Sequence, residues 1–358
     1  MQTLEGATMR HLSWAFALAA MLVTGCAPAP LQQNDPGLPA VFQGTERADT
    51  ALRILEYDVT NPNLVSPFEL AFSKDGALWF TPWSPHLGLM RTAGKFEWRD
   101  MPKKRTPIGP ERADWIAMGP DGQLWFTDYY GETLGTVTPF AHIKQFHVFS
   151  QLGGYSADVV SGPNDHLWVT LSGDYTNLVE LDTTPKVLNV YRLNGAYQEA
   201  IAAGPGDTLW IGGSARYQVI TRFFNGKIHD FPVTTAAGIG GIAAGPDGNM
   251  WFTGVTDPRL HHYIAKITPR GKIFEYRIQS EGADIIAGPD GKMWFTEPYY
   301  GLIGKVTMTG VVSEYKIPHA IKGSKTQYQV AGIVAGPDGN LWFTEPMHSR
   351  IGEVVLAR

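Results

Sequence analysis

Ala287-Gly-Pro-Asp-Gly-Lys-Met-Trp-Phe-Thr-Glu297 appears four times in this chain with little change. The other copies are Ala117-Met-Gly-Pro-Asp-Gly-Gln-Leu-Trp-Phe-Thr-Asp128, Ala244-Gly-Pro-Asp-Gly-Asn-Met-Trp-Phe-Thr253 and Ala335-Gly-Pro-Asp-Gly-Asn-Leu-Trp-Phe-Thr-Glu345. Weaker copies surround Trp79, Trp168 and Trp210, so the anchor tryptophans are 79, 125, 168, 210, 251, 294 and 342. Their spacings are 46, 43, 42, 41, 43 and 48 residues. A period of roughly 40–45 residues is that of a four-stranded propeller blade. Seven copies predict an all-β, seven-bladed β-propeller of four-stranded antiparallel blades.

One copy read outward gives the blade. Ile285–Ala287 is a short apolar inner strand, A, and Pro289-Asp-Gly291 supplies a hairpin turn. Met293–Thr296 is strand B, Leu302–Thr307 is strand C and Val312–Ile317 is the outer strand D, with polar residues alternating as on a sheet edge. D-like segments carry Tyr57, Trp98, Phe146, Tyr191, Phe231, Tyr276 and Tyr315. The first of them, Ile54–Val59, precedes every A strand, whereas the last blade ends after its C strand, Ile351–Leu356. The N-terminal strand must therefore complete the seventh blade and remove two free edges.

Composition agrees. The chain has 358 residues, with 44% hydrophobic, 12% aromatic and only 18% charged, which excludes general disorder. Forty glycines and 25 prolines suit many tight turns. A formal charge of −5 argues against a nucleic-acid partner. A single cysteine excludes an internal disulfide.

That cysteine has its own context. Arg10 and His11 precede an apolar run, Leu12–Val23, too short to span a bilayer, which needs roughly 20 residues. Val23-Thr24-Gly25-Cys26 resembles the bacterial lipobox, which implies lipidation at Cys26. Residues 1–25 then read as a lipoprotein signal peptide, with Met9 an alternative start, 26–50 as a flexible tether and 51–358 as the propeller. The expectation is an exported monomer on the bacterial cell envelope, touching membrane only through its lipid.

The repeat also carries a family resemblance. G-P-D-G-x-[LM]-W-F-T-E, a short loop and then [IL]-G-x-[VIL]-T resembles the streptogramin B lyase (virginiamycin B lyase) family of seven-bladed propellers, over residues 52–358. The resemblance implies elimination that opens the lactone ester of a cyclic depsipeptide, with Mg²⁺ and a histidine general acid at the start of the last inner strand. The family pattern there, Glu-Pro-His-Gly-Ile, reads Gln329-Val-Ala-Gly-Ile333 here, so Ala331 stands at the histidine. A second family histidine, one blade earlier, corresponds to Ala283. The family's acidic residue after the last strand B is matched by Glu345.

Topology directs the search for a site. The D-to-A and B-to-C loops share one face around the channel mouth, and residues that vary there from blade to blade are the candidates. Starts of strand A offer Glu69, Asp114, Asp158, Glu199 and Asp284, with Trp115 beside Asp114 and glycine at Gly241 and Gly332. Exits of strand B add Asp128, Glu297 and Glu345, followed by Tyr129, Tyr130, Tyr299, Tyr300 and His348. Converging carboxylates suit a hard cation, so Asp114, Asp158, Glu199, Asp284 and Glu297 are expected to hold Mg²⁺ or Ca²⁺. Trp115, Tyr129 and Tyr299 are expected to contact a small-molecule or peptide ligand. Glu345 and His348 are the candidates for proton transfer; His319, His261 and His262 are loop histidines with no spacing that requires a role. The turn aspartates Asp75, Asp121, Asp247, Asp290 and Asp338 read as scaffold. Two functions remain open: a binding propeller with an acidic, aromatic mouth, and a metal-assisted lyase or lactone hydrolase. A protein-interaction hub is a third.

Overall fold

The computed structural model describes residues 52–356 apart from 61–65, 103–104, 107–108, 111, 129–131, 139–140, 174–175, 195–197, 214–218, 234–237, 256–261 and 322–327. Cys26, Tyr129, Tyr130 and His261 therefore lie outside the described residues. Glu199 falls within a strand, Gln198–Gly204, but its side chain is likewise outside the description.

Seven four-stranded antiparallel sheets follow one another along the chain. Blade 1 spans Pro67–Asp100 and blade 2 Ile116–Phe146; a two-stranded ribbon, Arg105–Thr106 with Gly109–Pro110, lies between them in sequence. Blades 3 to 6 span Tyr155–Arg192, Gln198–Pro232, Gly238–Arg277 and Ile285–Lys316. Blade 7 joins Ile333–Ala335, Leu341–Glu345 and Arg350–Val355 to the N-terminal strand Arg53–Asp58. That strand pairs from Arg53 opposite Val355 to Asp58 opposite Arg350, closing the ring as the displaced D segment required. No helix among the described residues is long and apolar enough to cross a membrane.

The core is a set of seams between blades. Each anchor tryptophan packs onto the next blade: Trp294 against Ile333, Leu341 and Phe343, and Trp342 across the closure against Leu70, Leu78 and Phe80. In six blades the indole also faces the aromatic ring of its own strand D, from Trp125 with Phe146 to Trp342 with Tyr57 at 5.7 Å. The turn aspartates do more than shape hairpins. Asp121, Asp247, Asp290 and Asp338 accept the indole N–H four residues later, at 2.9 to 3.3 Å. This satisfies the one polar atom of a buried tryptophan.

The glycine of the strand C motif follows from the phenylalanine after each tryptophan. A Cβ on Gly304 would stand 2.1 Å from the Phe295 ring, and one on Gly352 2.0 Å from Phe343. Only glycine lets strand C lie flat on that ring, so the motif is a packing requirement.

Candidate functional site

The channel mouth is built from the starts of the inner strands. Thr296 N–H bonds to the Asp284 carbonyl and the Asp284 N–H to Thr296 Oγ1, and the same pair recurs between Thr344 and Gly332. Register then aligns one channel-lining residue per blade: Glu69, Trp115, Asp158, Ala200, Gly241, Asp284 and Gly332. The residue before each forms a second ring: Phe68, Asp114, Ala157, Glu199, Gly240, Ala283 and Ala331.

The expected single ring of ligands thus separates into sets. Glu69, Asp158 and Asp284 share a level and interact electrostatically. Asp114 belongs to the other ring; its carboxylate is buried and paired with Arg112 at 3.0 Å. One residue of offset turns a side chain to the opposite face of a strand. Glu297 and Glu345, fully buried, turn away from the axis toward their own strand D, where Glu297 meets Glu314 and Glu345 meets Glu56 and Asp58. Among the described residues, no three histidine, cysteine or acidic groups are placed to hold a metal ion.

The channel acids are stapled into the ring. Asp158 Oδ1 accepts the Val159 N–H at 2.8 Å and Oδ2 that of Ile201 in the next blade at 3.3 Å. Asp284 repeats this with Ile285 and, across to blade 7, Ile333, both at 2.8 Å. Burial pushes Asp158 up to about 7 against these two bonds, with Asp284 adding repulsion. Burial likewise lifts Asp284 to about 6, again against its backbone bonds. Glu69 is raised well above the usual carboxylate range by burial and then by Asp284 and Asp158. Its Oε2 occupies the space that a Cβ on Gly332 would need.

Above the acids stands a half-buried aromatic wall that crosses blades 6, 7 and 1. Tyr299 stacks on Tyr328 at 5.5 Å, Tyr328 meets Phe68 edge-on at 6.4 Å, and Phe68 leans on Trp83 at 5.4 Å. The Arg112 guanidinium lies 5.8 Å from the Trp83 ring centre and ends the wall on the blade 2 side. Of the expected ligand contacts, Tyr299 is in this wall and Trp115 lines the channel. Phe68, Trp83, Tyr328 and Arg112 were not singled out from the sequence. Phe68 lies at the start of its inner strand, Trp83 follows strand B of blade 1, and Arg112 and Tyr328 precede the inner strands of blades 2 and 7; no repeated motif marks these positions.

Proton-transfer candidates gather at the rim of blade 7. Burial and the nearby Glu56 push Glu345 up to about 8, against the pull of Arg350, and neither of its oxygens has a hydrogen-bond partner among the described residues. Burial and Arg350 hold His348 below the usual histidine value. Glu56 accepts from His319 and from Arg350, so the two candidates share a charged neighbourhood.

The sequence matches the virginiamycin B lyase family over residues 44–194 and 159–357. The chain belongs to that family. A solved streptogramin B lyase is 25% identical, with 86% of this chain and 98% of that one covered and a TM-score of 0.72. A catalytically inactive histidine-to-alanine variant of virginiamycin B lyase from Staphylococcus aureus, solved with quinupristin, is also 25% identical, covering 86% and 100% with a TM-score of 0.73. The WD40 propeller of Doa1, at 10% identity over 85% of this chain and 96% of that one and a TM-score of 0.64, shares the fold alone. A search of curated proteins finds no match.

Within the virginiamycin B lyase family frame, the two histidine positions lie on the second ring, at Ala283 and Ala331, 8% and 4% exposed. Ala331 is the ring neighbour of Phe68, beside the aromatic wall, and Ala283 is the next member of the ring. Gln329, at the family's glutamate, is buried and its amide is engaged: Nε2 donates to the Tyr299 and Ile321 carbonyls, and Oε1 accepts the Ile321 N–H. Its role is to pin the linker before blade 7.

Proposed function

We propose that this protein binds a compact, ring-bearing ligand of the cyclic-peptide kind at its channel mouth and does not open it by the family's elimination. The observation that carries this reading is the pair Ala331 and Ala283 at the two histidine positions. A methyl group transfers no proton. Beside Phe68, Tyr328 and Tyr299 it adds apolar surface, the usual lining of a small-molecule site. The relative with a histidine-to-alanine substitution is inactive, yet its structure contains quinupristin. That supports ligand binding as separable from chemistry.

The family's Mg²⁺ does not fit the residues seen here. Both oxygens of Asp158 and of Asp284 accept backbone N–H groups, and among the described residues no three histidine, cysteine or acidic groups come together to hold a metal ion. No step is assigned to a metal.

Quinupristin titrated into the protein by calorimetry is expected to bind. Reverse-phase chromatography of the same mixture should recover intact ligand, since elimination opens the ring without changing its mass. Absence of binding would overturn the reading, and so would ring opening at a rate that exceeds the protein-free control. A second reading keeps catalysis, at the buried Glu345, whose oxygens have no hydrogen-bond partner among the described residues and which shares Glu56 and Arg350 with His348. Ring opening that disappears in Glu345→Gln would favour it.

A further inference from the structure

Two acids of blade 6 hold the linker that enters it. Glu297, at the exit of strand B, is fully buried, and its Oε2 accepts the Ser280 N–H at 2.6 Å. Glu314, on strand D, accepts the Gln279 N–H with one oxygen and the Gln279 side-chain amide with the other, both at 2.7 Å. Consecutive backbone N–H groups of the linker thus end on two different carboxyl groups. Register puts both groups on one face of the blade: Gly304 lies between Phe295 and Glu314, and Glu297 stands two residues after Phe295. The two side chains meet there and share a hydrogen bond.

Ionised carboxylates only accept, so a hydrogen bond between two of them requires that one carry a proton. Burial pushes Glu297 up to about 9, Glu314 adds repulsion, and the bonds from Ser280 pull the other way. Lys316, on the same face beyond Leu302, is exposed. In the linker, Glu281 acts on Tyr299. Blade 5 packs Ile264, Ile278 and Tyr276 against this face, and His262 gives its carbonyl to the Ile278 N–H. Two other blades fill the same two positions differently. Blade 7 has Glu345 with Glu56, but Arg350 and His319 donate to Glu56. Blade 2 has Asp128, which accepts the linker N–H of Arg112 at 3.3 Å, with an amide, Gln145, on strand D. Blade 6 sets acid directly against acid.

We propose that Glu297 and Glu314 hold one proton between them and that this proton latches the linker, residues 278–284, to blade 6, so that alkali releases it. The linker delivers Ala283 and Asp284 to the channel mouth, where their N–H groups bond to Thr296. With the proton in place, a neutral acid and a carboxylate receive the Ser280 and Gln279 N–H groups. Without it, two like charges repel at contact distance out of water, and leaving the linker for solvent relieves them. Both are positioning residues that act on the mouth through the linker. Glu297 sits above its ordinary 4.5, so the folded state holds this proton more tightly than the unfolded chain. Its contribution to stability is full below about pH 4.5 and is lost as pH rises to about 9. The latch itself does not need the mouth to be a ligand site; only its effect on affinity rests on that reading.

Infrared spectroscopy and amide NMR on the whole protein test the latch. At about pH 7 the wild type is expected to show a protonated-carboxyl band that Glu297→Gln lacks. That band should vanish through about pH 9, and the Gln279 and Ser280 amide resonances should move with it. Glu297→Gln keeps an acceptor for Ser280 and gains a donor for Glu314, so its amides should stay in place over the same range. Glu314→Gln, which gives blade 6 the acid and amide of blade 2, should move the transition to lower pH. One pH unit above the transition about a tenth of the latch remains closed, so quinupristin affinity should fall about tenfold by about pH 10 in the wild type and hold in Glu297→Gln. Equal carboxyl bands in wild type and Glu297→Gln would overturn the latch. So would amide resonances that ignore the loss of the band, or an equal fall in affinity in both proteins. Band and amide transitions in a protein that takes no quinupristin would confirm the latch and overturn the mouth reading.

Discussion

The threonine two places after each anchor tryptophan holds the mouth together. Six blades carry it, at Thr81, Thr127, Thr170, Thr253, Thr296 and Thr344; blade 4 has Gly212. Thr296 Oγ1 accepts the Asp284 N–H at 3.1 Å and donates to the Ala331 carbonyl of the next blade at 2.7 Å. Thr344 does the same across the closure, from Gly332 to the Phe68 carbonyl. One hydroxyl thus satisfies two buried backbone groups and ties neighbouring blades at the level of the family's histidine positions. At Gly212 the methyl groups of Ile239 fill the space instead, so that seam is held by apolar contact. Thr296→Val keeps the shape and orphans both backbone partners, a cost of about 2 kcal/mol for buried groups left unsatisfied. Urea denaturation is expected to show that loss, and quinupristin affinity should fall with it, because Ala331 loses its anchor. An unchanged midpoint would mean that water replaces the hydroxyl without penalty.

Strand register decided how much of the site could be read in advance. The A–B hairpins were legible because Pro-Asp-Gly and Trp-Phe-Thr repeat, and Ile285–Ala287 and Met293–Glu297 fall where the pattern puts them. Upstream of strand A no motif repeats, and the inner strands of blades 1, 3, 4 and 5 each carry a register shift near the mouth. Asp114 and Glu199 stand one residue before the positions that match Glu69, Asp158 and Asp284, although all five had looked equivalent. At this scale the prediction concerns pH. Asp158 at about 7 and Asp284 at about 6 both sit above their ordinary 3.8, so the folded state binds these protons more tightly than the unfolded chain. Their contribution to stability is fully present below about pH 4 and is lost as pH rises to about 7. Asp158→Asn should therefore flatten the fall in denaturation midpoint between pH 4 and 7 relative to the wild type. Parallel profiles for the two proteins would show that Asp158 does not titrate in that window.

The ring as a whole depends on one strand that arrives from the far end of the sequence. Arg53–Asp58 supplies the outer edge of blade 7, and Tyr57 spans its width: the ring stacks on Trp342 and the hydroxyl donates to Glu353 at 2.6 Å. Burial and Glu353 together push the Tyr57 hydroxyl up to about 12, so it stays a donor across the ordinary pH range. Arg350 clamps Asp58 at 2.6 Å, and the Val59 N–H reaches the Ser349 carbonyl at 2.8 Å. Trp342 in turn packs on blade 1, so this strand backs the seam that closes the circle. A propeller stabilised only by nearest-neighbour seams would tolerate losing an outer strand from one blade. A closed ring would not, because opening the seam from blade 7 to blade 1 also frees Gly332 from Phe68 and loosens the mouth. Deletion of residues 52–59 is expected to lower the melting temperature on the order of 5 °C or more and to expose the unpaired edge Arg350–Val355. A synthetic peptide that carries the deleted sequence should restore both the melting temperature and quinupristin binding when added in excess, since it can pair with that edge in trans. A version of the peptide with Tyr57 changed to Ala should rescue poorly. If the truncated protein melts where the full chain does, the circle is held by its seams alone and the N-terminal strand is only a cover.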